Sequence, residues 1–249
     1  MCSDVLPEVI VIGAMKCATS AVHEYLAVHP DITMSSTKEL NFFNGPEVAP
    51  HADADSWWLT GQWHRGLDWY SSQFDPGAAV RGESSPAYTS PTCPEVPGRM
   101  ASVVAEARLV YLVRDPVERA VSQYMHHQRD GAERRPLRQA VLDPASQYLS
   151  RSRYHERLEP FLSWFDRTQV HTVVQERLLS RPEEEIARLY EHVGVHAGWR
   201  DERHGQRFHV AQSRFDVDRG LTAEVLENVR DDVDRLRELL GDDIEEWPM

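Results

Sequence analysis

Lysine is almost absent from this 249-residue sequence: of 27 basic residues only Lys16 and Lys38 are lysines, and the other 25 are arginines. Where any positive charge would serve, the chain carries a guanidinium. Both ammonium groups fall within the first forty residues, and a compact ammonium can approach and protonate an oxygen in a way a guanidinium cannot. Codon bias with two chance survivors is the competing explanation, and the flanking residues must decide. Cysteine is scarce too. Cys2, Cys17 and Cys93 stand at unrelated spacings, which excludes a zinc pattern and suggests no disulfide framework. No stretch approaches the roughly eighteen apolar residues of a membrane span, and Met1 to Pro7 lacks the basic start and apolar run of a signal peptide. The expectation is a cytoplasmic chain with no membrane partner. Positive charge is in overall deficit, at a formal net of −13, which argues against nucleic acid as a general partner. A local basic site stays open, and nothing sets the oligomeric state.

What is present is ordinary globular material. The length suits one domain over residues 1–249 with a full core, and neither repeats nor low-complexity runs interrupt it. Val9–Ile12 is a short apolar run ending at Gly13, the pattern of a buried strand. Val22, Tyr25, Leu26 and His29 then follow helical spacing until Pro30. Gly66–Phe74 predicts a short helix, Ala78–Arg81 a strand, Ser85–Pro97 a proline-punctuated loop and Arg108–Val113 a second buried strand. Asp115 and Pro116 predict a helix start, with Asp115 as N-cap and Glu118 closing a capping box. A helix near Arg153–Phe165, a strand at Val170–Val174, a helix at Pro182–His192 closed by Gly194, and a long final helix ending at Gly241 complete the pattern. Alternating strands and helices predict an α/β fold: a mostly parallel central sheet flanked by helices.

Three segments carry chemistry. In Gly13–Ser20 (GAMKCATS), between strand and helix, the small residues Ala14, Cys17 and Ala18 let backbone N–H groups approach an anion. The helix start near Thr19 adds free N–H groups and a favourable dipole end. Thr19 and Ser20 supply hydroxyls, and Lys16 a positive charge. A Walker A loop would read GxxxxGK[ST], and this one does not. A plain strand-to-helix turn is the bland alternative for the loop alone. In Arg114–Ser122 (RDPVERAVS), Arg114 ends a buried strand, where open α/β sheets bind ligands. Ser122 lies on the polar face of the helix with Glu118, and an Arg and a Ser flanking a helix start suit a phosphate. A surface arginine beside a capped helix is the alternative. In Lys38–Phe43 (KELNFF), Glu39 beside a lysine and paired aromatics suits a general base, although exposed Lys-Glu neighbours are common.

Together these segments resemble the sulfotransferase family that uses 3′-phosphoadenosine 5′-phosphosulfate (PAPS). The likeness is to the sulfotransferase domains of heparan sulfate N-deacetylase/N-sulfotransferase and 3-O-sulfotransferase enzymes, from about Val9 to His192. Arg65–Tyr70 (RGLDWY), Gly82–Tyr88 (GESSPAY) and Arg153-Tyr154 extend it. The resemblance implies a P-loop-like sulfotransferase fold and PAPS as co-substrate. It places Lys16 at the catalytic lysine, Lys16, Cys17, Ala18, Thr19 and Ser20 in the 5′-phosphosulfate loop, Arg114 and Ser122 at the 3′-phosphate, and Glu39 at the catalytic base. It implies in-line transfer of a sulfuryl group to an acceptor hydroxyl or amine with no metal. Many heparan-type members carry a lysine where this chain has Ser84, the family's late basic loop has only Gln212-Ser213-Arg214 as a counterpart, and the disulfide hairpin of the animal enzymes is missing.

Two other readings share the fold: a P-loop kinase or NTPase, which needs a Walker A Lys-Ser/Thr pair, and a non-catalytic nucleotide- or glycan-binding module. The twelve histidines show no ligand spacing, and His126-His127 and His204/His209 read as solvated or structural. The acceptor side is Asn44–Arg65, with Trp57, Trp58, Trp63, His51 and His64 among Glu47, Asp53 and Asp55. Flat aromatic surfaces with acidic rims suit a small neutral or cationic acceptor, glycosylated or aromatic, with transfer to oxygen favoured over nitrogen. Packing of these tryptophans onto the body is the competing explanation.

Overall fold

The computed structural model describes residues 5–48, 61–206 and 217–247. Its centre is a five-stranded, all-parallel sheet in the order β2-β3-β1-β4-β5. The strands are β1 (Val9–Gly13), β2 (Ile32–Met34), β3 (Val80–Ser84), β4 (Arg108–Val113) and β5 (Val170–Val174). The helices are α1 (Thr19–Ala27), α2 (Gly66–Ser71), α3 (Val96–Val104), α4 (Pro116–Arg129), α5 (Leu137–Leu142), α6 (Gln147–Ser150), α7 (Tyr154–Leu162), α8 (Gln175–Ser180), α9 (Pro182–Val193) and α10 (Arg219–Leu240).

The two apolar runs of the sequence become the central strands because they have no polar face to turn outward. Every residue of β1 is buried, as are Leu109 to Val113 of β4. Such strands need cover on both faces, which helices of a parallel sheet provide. From β1 the chain goes first to β2 and β3 on one side, then to β4 and β5 on the other. That reversal leaves a crevice beyond the carboxyl end of β1, where ligands of open α/β sheets bind. The register brings three chain segments to this crevice. Val11 pairs with Ser84 of β3, and Gly13 with Tyr111 of β4 after an irregularity in the ladder. Gly13 is required here, because a Cβ at this position would lie 2.2 Å from Thr89 Oγ1.

Three predicted strands and the last two predicted helices fall close to their expected bounds. The strand expected at Ala78–Arg81 instead runs Val80–Ser84, because Gly82 to Ser84 pair with β1 although they lack apolar side chains. The strand β2 and the helix α3 were not anticipated. The former is only three residues long, and the latter begins inside a proline-rich segment that reads as loop, with Pro97 in its first turn. Asp115 caps α4, its carboxylate accepting from the Glu118 N–H at 2.8 Å. Glu118 does not complete the expected capping box. Its carboxylate is drawn to Arg114 Nη2 at 2.7 Å, and the Asp115 N–H goes to Glu176 Oε1 at 2.9 Å.

Candidate active site

The loop from Gly13 to Ala18 is built to leave donors open. Lys16 and Ala18 have φ of 73° and 62°, the left-handed region that costs a side-chain-bearing residue energy. Cys17 between them and Thr19 after them do not, so the chain alternates in hand and forms a concave turn of the kind that binds anions. Ala18 is the N-cap of α1 and offers no side-chain oxygen, and no acidic residue occupies the first turn. Among the described residues nothing accepts from the N–H groups of Thr19, Ser20 or Ala21; the first bond of the helix is Val22 N–H to Ala18 at 3.1 Å. The result is a helix N-terminus with free donors and an uncompensated dipole.

Within that loop the residues differ in what they offer. Burial, reinforced by the Arg129 and Arg114 guanidinium groups, holds the Lys16 ammonium below the ordinary lysine pKa. Thr19 is buried and Ser20 half-buried, and neither hydroxyl has a partner among the described residues. Cys17 turns inward. Its thiol lies 3.6 Å from the Tyr154 hydroxyl, burial pushes it up to about 11, and its N–H already donates to Ala14 at 3.2 Å. Cys17 thus serves the loop as a small core residue, while Ala18 and Ser20 are half-buried and Thr19 is buried.

Arg114 leaves the end of β4 toward the same loop, with Nη1 3.4 Å from the Lys16 carbonyl and Nη2 on Glu118. Its Nε is buried and has no acceptor among the described residues. Ser122, two turns into α4, is half-buried with no partner for its hydroxyl among the described residues. The carboxylate side is supplied by the segment after β2. Glu39 has a φ of 62° and Asn41 of 49°. The Glu39 N–H donates to the Ser84 carbonyl at 2.9 Å, and Glu39 Oε1 lies 2.5 Å from Lys38 Nζ. Among the described residues, only Ile244 joins Lys16, Ala18, Glu39 and Asn41 as a non-glycine with positive φ.

Three parts of the site escaped sequence reasoning. Glu83 is fully buried and accepts from Tyr70 at 2.5 Å, Tyr88 at 2.9 Å and Ser85 at 2.9 Å. Ser85 Oγ and Tyr88 Oη accept in turn from the N–H groups of Asn41 and Phe42, both at 3.0 Å. The segments 65–70 and 82–88 therefore meet around one carboxylate that fixes the strand of chain carrying Glu39. Arg119 is also fully buried, with Ser152 Oγ at 2.6 Å, Gln123 Oε1 at 2.7 Å and the Tyr148 carbonyl as acceptors and no carboxylate among them. Its four-residue spacing to Gln123 was the available signal. His23 pairs with Ser84, Nδ1 to Oγ at 3.0 Å.

On the acceptor side, Trp63 packs on Phe42 at 5.2 Å between ring centroids, lies under Arg99 at 4.9 Å and donates to Glu47 at 3.1 Å. That indole is part of the wall. His51, Asp53, Asp55, Trp57 and Trp58, together with His209 and Gln212 to Arg214, lie outside the described residues. His127 and His204 are tied to Tyr148 and Tyr190 hydroxyls at 3.0 and 2.9 Å.

Comparison with known proteins agrees with this geometry. The chain is 28% identical over 200 residues to mouse (Mus musculus) heparan sulfate glucosamine 3-O-sulfotransferase 3B1, covering 76% of this chain and 46% of that protein. It is 31% identical over 137 residues to bovine (Bos taurus) bifunctional heparan sulfate N-deacetylase/N-sulfotransferase 2, covering 51% of this chain and 14% of that one. The chain thus spans about half or less of the length of these curated relatives. A solved sulfotransferase from Alicyclobacillus acidocaldarius superposes with a TM-score of 0.81 at 26% identity, over 97% of this chain and 98% of that one. A model described as the sulfotransferase family matches residues 7–201, and the chain belongs to that family.

Proposed function

We propose that the chain moves a sulfuryl group from PAPS to a hydroxyl of a small neutral acceptor. The observation that carries this is the convergence at one sheet end of an open helix N-terminus with Lys16, an arginine with an unsatisfied buried donor, and Glu39. These features fit the co-substrate. Phosphate oxygens accept from free backbone N–H groups and from guanidinium forks, and the Arg114 Nε is a buried donor that lacks an acceptor among the described residues. Ala18, Thr19 and Ser20 would hold the 5′-phosphosulfate, and Arg114 with Ser122 the 3′-phosphate.

Bound PAPS supplies an activated sulfur whose bond to a phosphate oxygen breaks as the acceptor oxygen bonds to it. Glu39 orients the acceptor hydroxyl and takes its proton, with one carboxylate oxygen steadied by Lys38 and the other without a hydrogen-bond partner among the described residues. Lys16 stabilises, as an ammonium, the charge that grows on the oxygen leaving with the 5′-phosphate. The products are a sulfate ester, adenosine 3′,5′-bisphosphate and a protonated Glu39. No role in this sequence calls for a metal. The curated relatives are named for heparan sulfate, a polyanion. The net charge of −13 opposes such an acceptor and supports a neutral one.

Thermal shift tests the reading. Adenosine 3′,5′-bisphosphate at a hundredfold its Kd should add about 2.7 kcal/mol without metal, and AMP much less. Equal shifts by AMP, or a response to ATP only with Mg²⁺, would favour a nucleotide kinase instead.

A further inference from the structure

The roles assigned above leave one buried polar pair unused. His23 lies on α1 one turn after Thr19, and its Nδ1 is 3.0 Å from Ser84 Oγ. Both residues are buried. The Ser84 carbonyl accepts the Glu39 N–H, so the pair adjoins the peptide that carries the candidate base. His23 Nε2 has no hydrogen-bond partner among the described residues, since Nδ1 makes the ring's one bond there. An imidazole held at one nitrogen by a buried hydroxyl presents the other in a set direction. The charged groups acting on the ring are Lys38, Glu24 and Glu39. Burial and then Lys38 oppose protonation, and the two carboxylates favour it, with the balance toward the neutral form.

We infer that His23, oriented by Ser84, is an acceptor-contacting residue whose Nε2 hydrogen-bonds a neutral hydroxyl-bearing acceptor beside Glu39. This rests on the transfer reading above and adds a specificity element to it. A neutral ring nitrogen matches a hydroxyl, which donates and accepts equally well, whereas a sulfate or carboxylate is best met by a charged donor. The contact lies on the β3 side of the crevice, away from Arg114 and the end of β4. Removing it should therefore change acceptor binding and leave nucleotide binding alone.

The test uses PAPS as donor and three acceptor probes: 4-nitrophenyl β-D-glucoside, 2-naphthol and a heparan oligosaccharide. Transfer is followed as product formed, and adenosine 3′,5′-bisphosphate affinity by calorimetry. His23→Ala should raise the KM of the neutral probes about tenfold, the value of one hydrogen bond, with a smaller change in kcat and an unchanged nucleotide Kd. His23→Gln should recover part of the loss. Ser84→Ala should show the same trend more weakly, because it frees the ring without deleting it. An unchanged KM in His23→Ala, or a KM loss that tracks a loss of nucleotide affinity, would overturn the inference and make the pair a packing contact. Preference of the wild-type protein for the oligosaccharide over both neutral probes, or transfer to none of the three, would overturn the acceptor class. Failure to bind adenosine 3′,5′-bisphosphate at all would instead remove the transfer reading beneath it.

Discussion

The Tyr154 hydroxyl donates to the Arg114 carbonyl at 2.7 Å and accepts from the Arg114 N–H at 3.3 Å. One buried phenol thus holds both backbone groups of the residue that ends β4, and the same oxygen lies 3.6 Å from the Cys17 thiol of the anion loop. The two halves of the crevice are registered through this single atom. Tyr154→Phe keeps the packing and deletes the oxygen, leaving buried backbone groups unsatisfied. It should cost about 1–3 kcal/mol in denaturant unfolding. It should also weaken adenosine 3′,5′-bisphosphate binding, since Arg114 loses its anchor. Full affinity alongside the loss of stability would confine Tyr154 to the core.

Glu39 and Lys16 separate chemistry from binding. Glu39→Gln should reduce turnover on the order of 10²–10⁴-fold, the usual cost of losing a general base, with nucleotide affinity nearly intact. Lys16→Ala should lower both, because the proposed transfer sets the ammonium against the leaving oxygen. Lys16→Arg should not restore activity, as a guanidinium is broader and a far weaker proton donor. Steady-state kinetics with calorimetry distinguishes these outcomes, and near-normal turnover in Glu39→Gln would move the base elsewhere.

How much of this was legible beforehand follows from the range of the interactions involved. The Val9–Gly13 and Arg108–Val113 strands were legible because continuous burial writes an unbroken apolar run. The Lys16 loop was legible because small residues between a strand and a helix have a local meaning. The Asp115 cap was legible, but the partner of Glu118 was not, since Arg114 competes for it four residues away. Glu83 lay in a segment singled out by resemblance, yet its role depends on Tyr70, thirteen residues earlier, and on the N–H groups of residues 41 and 42. No local pattern reports such a network. Trp63 read equally well as an acceptor platform or as packing, and only its contacts with Phe42 and Arg99 show the latter.

Glu83 predicts a pH signature of its own. Burial raises its carboxyl from the usual 4.5 to about 7, against the hydrogen bonds from Tyr70, Ser85 and Tyr88 that favour ionisation. Between those two pH values the folded chain keeps a proton that the unfolded chain has released. This contribution to stability is therefore fully present below pH 4.5 and is lost as pH rises through 7. The difference is on the order of 3 kcal/mol. Glu83→Gln removes the titration while keeping the shape and most hydrogen bonds. Its stability relative to wild type should improve steadily from pH 4.5 to 8 in urea unfolding. A difference that stays flat across that range would mean that Glu83 is ionised throughout.

Arg119 carries the most consequential buried charge. Its guanidinium is fully enclosed and bonded to Ser152, Gln123 and the Tyr148 carbonyl, all neutral. It lies close enough to Lys16 and Cys17 to affect both. A buried cation without a carboxylate is costly unless some anion compensates it, and a phosphate group in the anion loop would do so. The apo fold should therefore bear this cost and the nucleotide-bound fold should be relieved of part of it. Arg119→Met takes a donor away from three buried acceptors, of which the Tyr148 carbonyl keeps the Ser152 hydroxyl, and should destabilise the free protein by about 2–4 kcal/mol. The informative measurement is the added stability from a fixed excess of adenosine 3′,5′-bisphosphate in each protein. If the charge reaches the ligand, that increment is smaller in Arg119→Met, and the loss is reduced further as salt screens what remains. An identical increment in both proteins would show that Arg119 holds α4 to the segment 148–152 and contributes nothing to the anion site.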